Sequence, residues 1–148
     1  MYFVDRKLLE DRLEYMEKLL ETFSHQKEWN SEVEKLALER MVHMTIEVMI
    51  DVGNQLIDGF IMRDPGSYDD VIDILVDEKV ISEENGKSLK EVIALRKLLL
   101  QEYTAIDIEK LVMTIENQSD TLLKLPGKIR MYLQNELGPV SAFLPHKD

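Results

Sequence analysis

Apolar residues recur every three or four positions along most of this chain, and no segment alternates apolar and polar residues as a half-buried strand would. The period predicts helices. From about Asp5 to Phe23, Leu8, Leu9, Leu13, Met16, Leu19, Leu20 and Phe23 fall on one face. The polar stretch from Ser24 to Asn30 reads as a connection. Ser31-Glu-Val-Glu34 has the spacing of a capping box and opens a second helix that continues to about Phe60. Asp64-Pro-Gly-Ser67 is a turn, and a short third helix follows from about Tyr68 to Asp77. Ser82, followed by two glutamates, caps a fourth helix reaching about Glu102. Ile106-Asp107 starts a fifth, expected to stop near Leu125 ahead of Pro126-Gly127. Lys128 to Leu137 adds a turn or two before Gly138-Pro139, and residues 140–148 are expected to fray. The expected fold class is all-α, a single domain over residues 1–148 with about five helices. Its short connections make neighbours antiparallel.

The second helix has an unusual distribution. At about 100° per residue, Arg40, His43, Glu47, Asp51, Asn54 and Asp58 lie within about 40° of one line. Nearly everything else on it is apolar, including Met41, Val42, Ile46, Met49, Ile50, Leu56 and Ile57. A helix apolar around most of its circumference is central to its fold. Its narrow polar stripe then faces a solvated edge, a groove or a partner.

Composition narrows the chemistry. The 148 residues contain no cysteine, which excludes disulfides, thiol catalysis and cysteine zinc sites. The net charge of −11 opposes generic binding to nucleic-acid phosphates, so an RNA-acting protein of this composition needs a local basic pocket, and DNA is not an expected partner. The first residues turn charged too early for a signal peptide, and no apolar run approaches the ~20 residues of a membrane span. The cytoplasm is the expected location, and no membrane partner is expected.

The chemistry-bearing segment is Arg96-Lys-Leu-Leu-Leu-Gln-Glu-Tyr103. On an unbroken helix Arg96 and Tyr103 lie about 20° apart, while Gln101 projects about 140° from Arg96. Such spacing alone fits a helix cap or an interface contact equally well. Taken with Leu38-Glu-Arg40, Ile46-Glu47, Ile50-Asp-Val-Gly-Asn54, Asp64-Pro-Gly-Ser67-Tyr68 and Ile106-Asp107, the segment resembles the HepT-like branch of the HEPN superfamily. The resemblance spans about Glu32 to Leu125. It implies a HEPN-type helical bundle that pairs as a homodimer. It also implies the toxin half of a toxin–antitoxin pair, with a minimal nucleotidyltransferase as antitoxin.

The resemblance further implies metal-independent, cofactor-free RNA cleavage by a motif of Arg, four to six residues, His, one residue and Tyr, with two copies meeting across the dimer. Arg96 and Tyr103 match its first and last members. The Arg would stabilise charge on the phosphate, and the Tyr is where members can receive AMP from the partner. Gln101 stands where the His belongs. An amide cannot shuttle a proton near neutral pH, so activity is expected to be weak or lost. Glu47, Asp51 and Asn54 are expected to border the groove or the dimer axis. His43 could replace the missing base only if the stripe faces Arg96. One alternative is a non-catalytic dimeric module that binds the nucleotidyltransferase. Another is a metal-dependent all-α nucleotide pyrophosphatase using His43, Glu47 and Asp51, with Glu14 and Glu17 as the best candidate second set.

Overall fold

A computed structural model describes residues 3–137, and every regular element in them is a helix. In chain order these are α1 (Arg6–His25), α2 (Glu32–Gly59), α3 (Tyr68–Asp77), α4 (Glu83–Ile93), α5 (Leu95–Gln101), α6 (Ile108–Asn117) and α7 (Ser119–Leu137). None is long and apolar enough to cross a membrane. The fold is the all-α bundle expected. α4 with α5, and α6 with α7, are consecutive pieces separated by a single residue, Ala94 and Gln118.

Side-chain caps set the starts. Ser31 accepts from the Glu34 N–H at 3.1 Å while Glu34 accepts from the Ser31 N–H at 2.8 Å, a complete capping box. Asp5, Ser67, Ser82 and Asp107 each accept from the N–H three residues on. α2 is the central element, packed against α1, α3, α5 and α6. Its core residues include Leu38, Ile46, Leu56 and Ile57, each at most 2% exposed. On α1, Leu9, Leu13, Met16, Leu19 and Leu20 are buried as the period predicts, whereas Leu8 is exposed.

Two expectations away from the Arg96 segment need correction. The fifth helix does not stop at Pro126-Gly127; it breaks earlier, at Gln118, and α7 then runs through both residues. Proline lacks the N–H that would bond the Leu122 carbonyl, at a cost of about 3 kcal/mol in a helix interior. Burying a Leu or Ile side chain returns roughly 1.5–3 kcal/mol. α7 buries Leu122, Leu125, Ile129, Leu133 and Leu137 on one face together with Pro126 itself, so packing outweighs propensity. Gly138-Pro139 and the expected frayed tail lie outside the described residues. The second correction is Trp29. The connection that reads as polar carries this residue into the core, stacked on Phe23 with ring centroids 5.6 Å apart.

Close backbone approach explains two glycines. A Cβ at Gly53 would sit 2.5 Å from Val71 Cγ1, so a larger residue there would push the Val71 side chain or α3 away from α2. A Cβ at Gly59 would meet the Phe3 carbonyl oxygen at 2.6 Å, where the Phe3 N–H already bonds the Gly59 carbonyl at 3.1 Å. A clamp of charge ties α1 to α7: Arg130 donates to Glu10 and to Glu17 at 2.7–2.9 Å.

Candidate functional site

Leu95 and Leu99, buried on one side of α5, turn Arg96 toward the polar stripe of α2. There the Arg96 Nε–H donates to Glu47 Oε1 at 3.0 Å. The same oxygen lies 3.3 Å from His43 Nε2, one helical turn back on α2. The Arg96 guanidinium also rests on the Tyr68 ring, 4.4 Å from its centroid, a cation–π contact. Arg96 is therefore held along one edge by a carboxylate and on one face by an aromatic ring. Its Nη groups make no hydrogen bond among the described residues.

Tyr68 is delivered by the loop after α2. Arg63 binds Asp70 through two nitrogens at 2.8 and 2.9 Å, and the Gly66 N–H donates to the same carboxylate at 2.8 Å. Ser67 caps α3 immediately before Tyr68. The Arg63 guanidinium, then the Gly66 N–H, hold the Asp70 carboxyl below its ordinary range. Lys90 of α4 pairs with Asp73 on the following turn of α3, which fixes the two helices in register beside the site.

The remaining predicted residues sit apart. Asp51 is exposed and Asn54 half-buried farther along the α2 stripe, and neither has a hydrogen bond to Arg96. The helix carrying the motif is interrupted at Ala94 and ends at Gln101, not Glu102. Glu102 departs from helical geometry, with φ −108° and ψ 35°. Tyr103 therefore does not occupy the helical position that places it on the Arg96 face. It is 70% exposed, and Gln101 is exposed with no side-chain hydrogen bond among the described residues. The Tyr68 contact was not anticipated from the sequence, because nothing in residue spacing ties α3 to α5. His43 and Glu47 at i and i+4 on the stripe were the available signal for the other half.

The alternative metal set is not assembled. No three His, Asp or Glu side chains converge among the described residues. The Glu47 carboxylate is occupied by Arg96 and the Glu17 carboxylate by Arg130.

An all-helical bundle with an arginine presented from one helix onto the acidic stripe of another defines a class, and sequence comparison names it. Residues 9–129 match the family model described as Ribonuclease HepT-like, and the chain belongs to that family. It is similar to "Putative RNase YutE" of Bacillus subtilis (strain 168), 52% identical over 143 residues that cover 97% of this chain and 99% of that protein. The solved structure of YutE, described as a cytosolic protein of unknown function, superposes with a TM-score of 0.93 over 97% of this chain and all of that one. A structure described as a toxin–antitoxin with AMP-PNP shares the fold, with a TM-score of 0.71 at 13% identity over 83% of this chain and 95% of that one.

Proposed function

We propose that this chain is the HepT-like toxin-family member of a toxin–antitoxin pair, a slow, metal-independent RNA endonuclease acting as a cytoplasmic homodimer. Residues 1–148 form one domain in this reading. The observation that carries it is the fixed Arg96. Its Nε is committed to Glu47 and its face to Tyr68, so its Nη groups remain to grip a phosphate in one orientation. Pairing through α2 and the α4–α5 rod would bring two such arginines to one groove, with Asp51 and Asn54 along its border. Gln101 and Tyr103, exposed at the end of α5, would complete the site from the second copy. The name "Putative RNase YutE" supports the reaction class, the cytosolic description of that protein supports the location, and the toxin–antitoxin structure supports an antitoxin partner.

The partner in this reading is a minimal nucleotidyltransferase that transfers AMP to Tyr103, whose exposure leaves its hydroxyl accessible. Gln101 favours a second reading, in which the protein binds that partner without cutting RNA. Purified protein separates the two. Arg96-dependent cleavage of RNA, abolished in Arg96→Ala, supports the nuclease. Cleavage that persists in Arg96→Ala overturns it. No cleavage at all, with AMP transfer that is lost in Tyr103→Phe, supports the binding module.

A further inference from the structure

We propose that His43 is the proton acceptor of this site, serving in place of the imidazole that the Arg–Tyr motif lacks. The inference rests on the ribonuclease reading and adds a residue outside that motif. One oxygen, Glu47 Oε1, lies 3.0 Å from Arg96 Nε and 3.3 Å from His43 Nε2. A single carboxylate thus places guanidinium and imidazole side by side. The His43 and Arg96 side chains are 31% and 30% exposed, so both are open to a ligand arriving along the stripe. His25 is exposed at the end of α1 and has no ion pair with Glu47, and His146 lies outside the described residues. His43 is the described histidine placed beside the arginine.

The groups that bear on the imidazole are few. Glu47 touches it, and Arg96 of α5 bonds the same oxygen, with Tyr68 of α3 stacked on the far side of that guanidinium. Along α2, Glu39 and Arg40 lie one turn before His43, and Asp51 one turn beyond Glu47. A carboxylate on one ring nitrogen orients the ring and steadies the imidazolium that proton transfer creates, leaving the other nitrogen to take the proton. In the step so assigned, the ribose 2′-oxygen attacks the adjacent phosphorus. The O2′–P bond forms, the P–O5′ bond breaks, and the 2′ proton passes to His43. The leaving 5′-oxygen takes a proton from water, and the hydroxide left behind recovers the proton from His43. Arg96 faces the negative charge building on the phosphate oxygens. The products are a 2′,3′-cyclic phosphate and a 5′-hydroxyl end.

The test is cleavage of a short single-stranded RNA from pH 5 to 9 by native protein, His43→Gln, His43→Ala, Gln101→His and the double variant His43→Gln with Gln101→His. Melting temperature serves as the folding control. The base must be neutral to accept a proton, so acidification is expected to slow native cleavage. His43→Gln is expected to lose about 100-fold and that acid dependence together. Added imidazole restores cleavage to His43→Ala. In the Gln101→His background, removing His43 costs little, because the motif then carries its own base. Native-rate cleavage by His43→Gln, or a His43→Ala variant deaf to imidazole, overturns the proposal. If native protein cuts RNA in an Arg96-dependent way and His43→Gln cuts as fast, the ribonuclease reading stands and the role of His43 falls; if Gln101→His cuts RNA while native protein does not, both fall for the native chain. If no variant cuts, both fall.

Discussion

At the residue scale the site is one arginine held by two neighbours of different kinds. Glu47 supplies charge and a directional hydrogen bond, while Tyr68 supplies the face of a ring. Both contacts are partly solvated, so each contributes about 1 kcal/mol or less. A double-mutant cycle between Arg96→Met and Tyr68→Leu, read by chemical denaturation, is expected to give a coupling of about 0.5–1 kcal/mol. Zero coupling would mean that the stacking does not hold the guanidinium. A different residue, Lys79, stores strain. It ends α3 at φ 62° in the left-handed region, with its N–H bonded to the Val76 carbonyl and the Val80 N–H to the Leu75 carbonyl. That position ordinarily carries glycine. Lys79→Gly is expected to raise stability by up to about 1 kcal/mol, the relief of the left-handed backbone less the entropy glycine loses on folding. A lower denaturation midpoint would contradict this.

At the element scale, periodicity and caps made most of the fold legible before any coordinates. α1, α2 and α3 begin within a residue or so of their predicted starts because Asp5, Ser31 and Ser67 satisfy exposed N–H groups locally, and local chemistry is what a sequence displays. Tertiary decisions were not legible. Pro126 reads as a stop, and only the burial of five apolar side chains around it keeps α7 continuous. Trp29 reads as part of a loop, and only its stacking on Phe23 draws it inward. The site divides the same way. His43 and Glu47 are visible as an i, i+4 pair on one helix, whereas the stacking of Tyr68 on Arg96 depends on how α3 and α5 meet. Gly53 is where the α2–α3 approach can be tested. Gly53→Ala places a methyl against Val71 and is expected to destabilise the protein by about 1–3 kcal/mol despite the better helix propensity of alanine. An increase in stability would show that the two helices separate easily.

At the scale of the whole molecule, paired carboxylates make folding sensitive to acid. Hydrogen bonds from Arg130 hold the Glu17 carboxyl below its ordinary value of 4.5, and those from Arg63 hold Asp70 below 3.8. For each, the unfolded chain binds the proton more readily. Their stabilisation is complete above those ordinary values and is lost as pH falls through the lowered ones. The melting temperature is expected to drop more between pH 5 and pH 3 in the native protein than in Arg130→Met, because that variant has already lost the α1–α7 clamp. Equal drops would contradict the linkage. On the proposed ribonuclease reading, the net charge of −11 requires Arg96 to recognise a phosphate by geometry more than by long-range field. The measurement that bears most directly on this account is the rate of RNA cleavage by purified native protein, Gln101→His, and Gln101→His combined with Arg96→Ala. Restoring the motif imidazole is predicted to raise the rate above that of the native protein, and removing Arg96 to abolish it. A Gln101→His protein no faster than native, or one indifferent to Arg96, would contradict the assignment of this segment as the reactive centre.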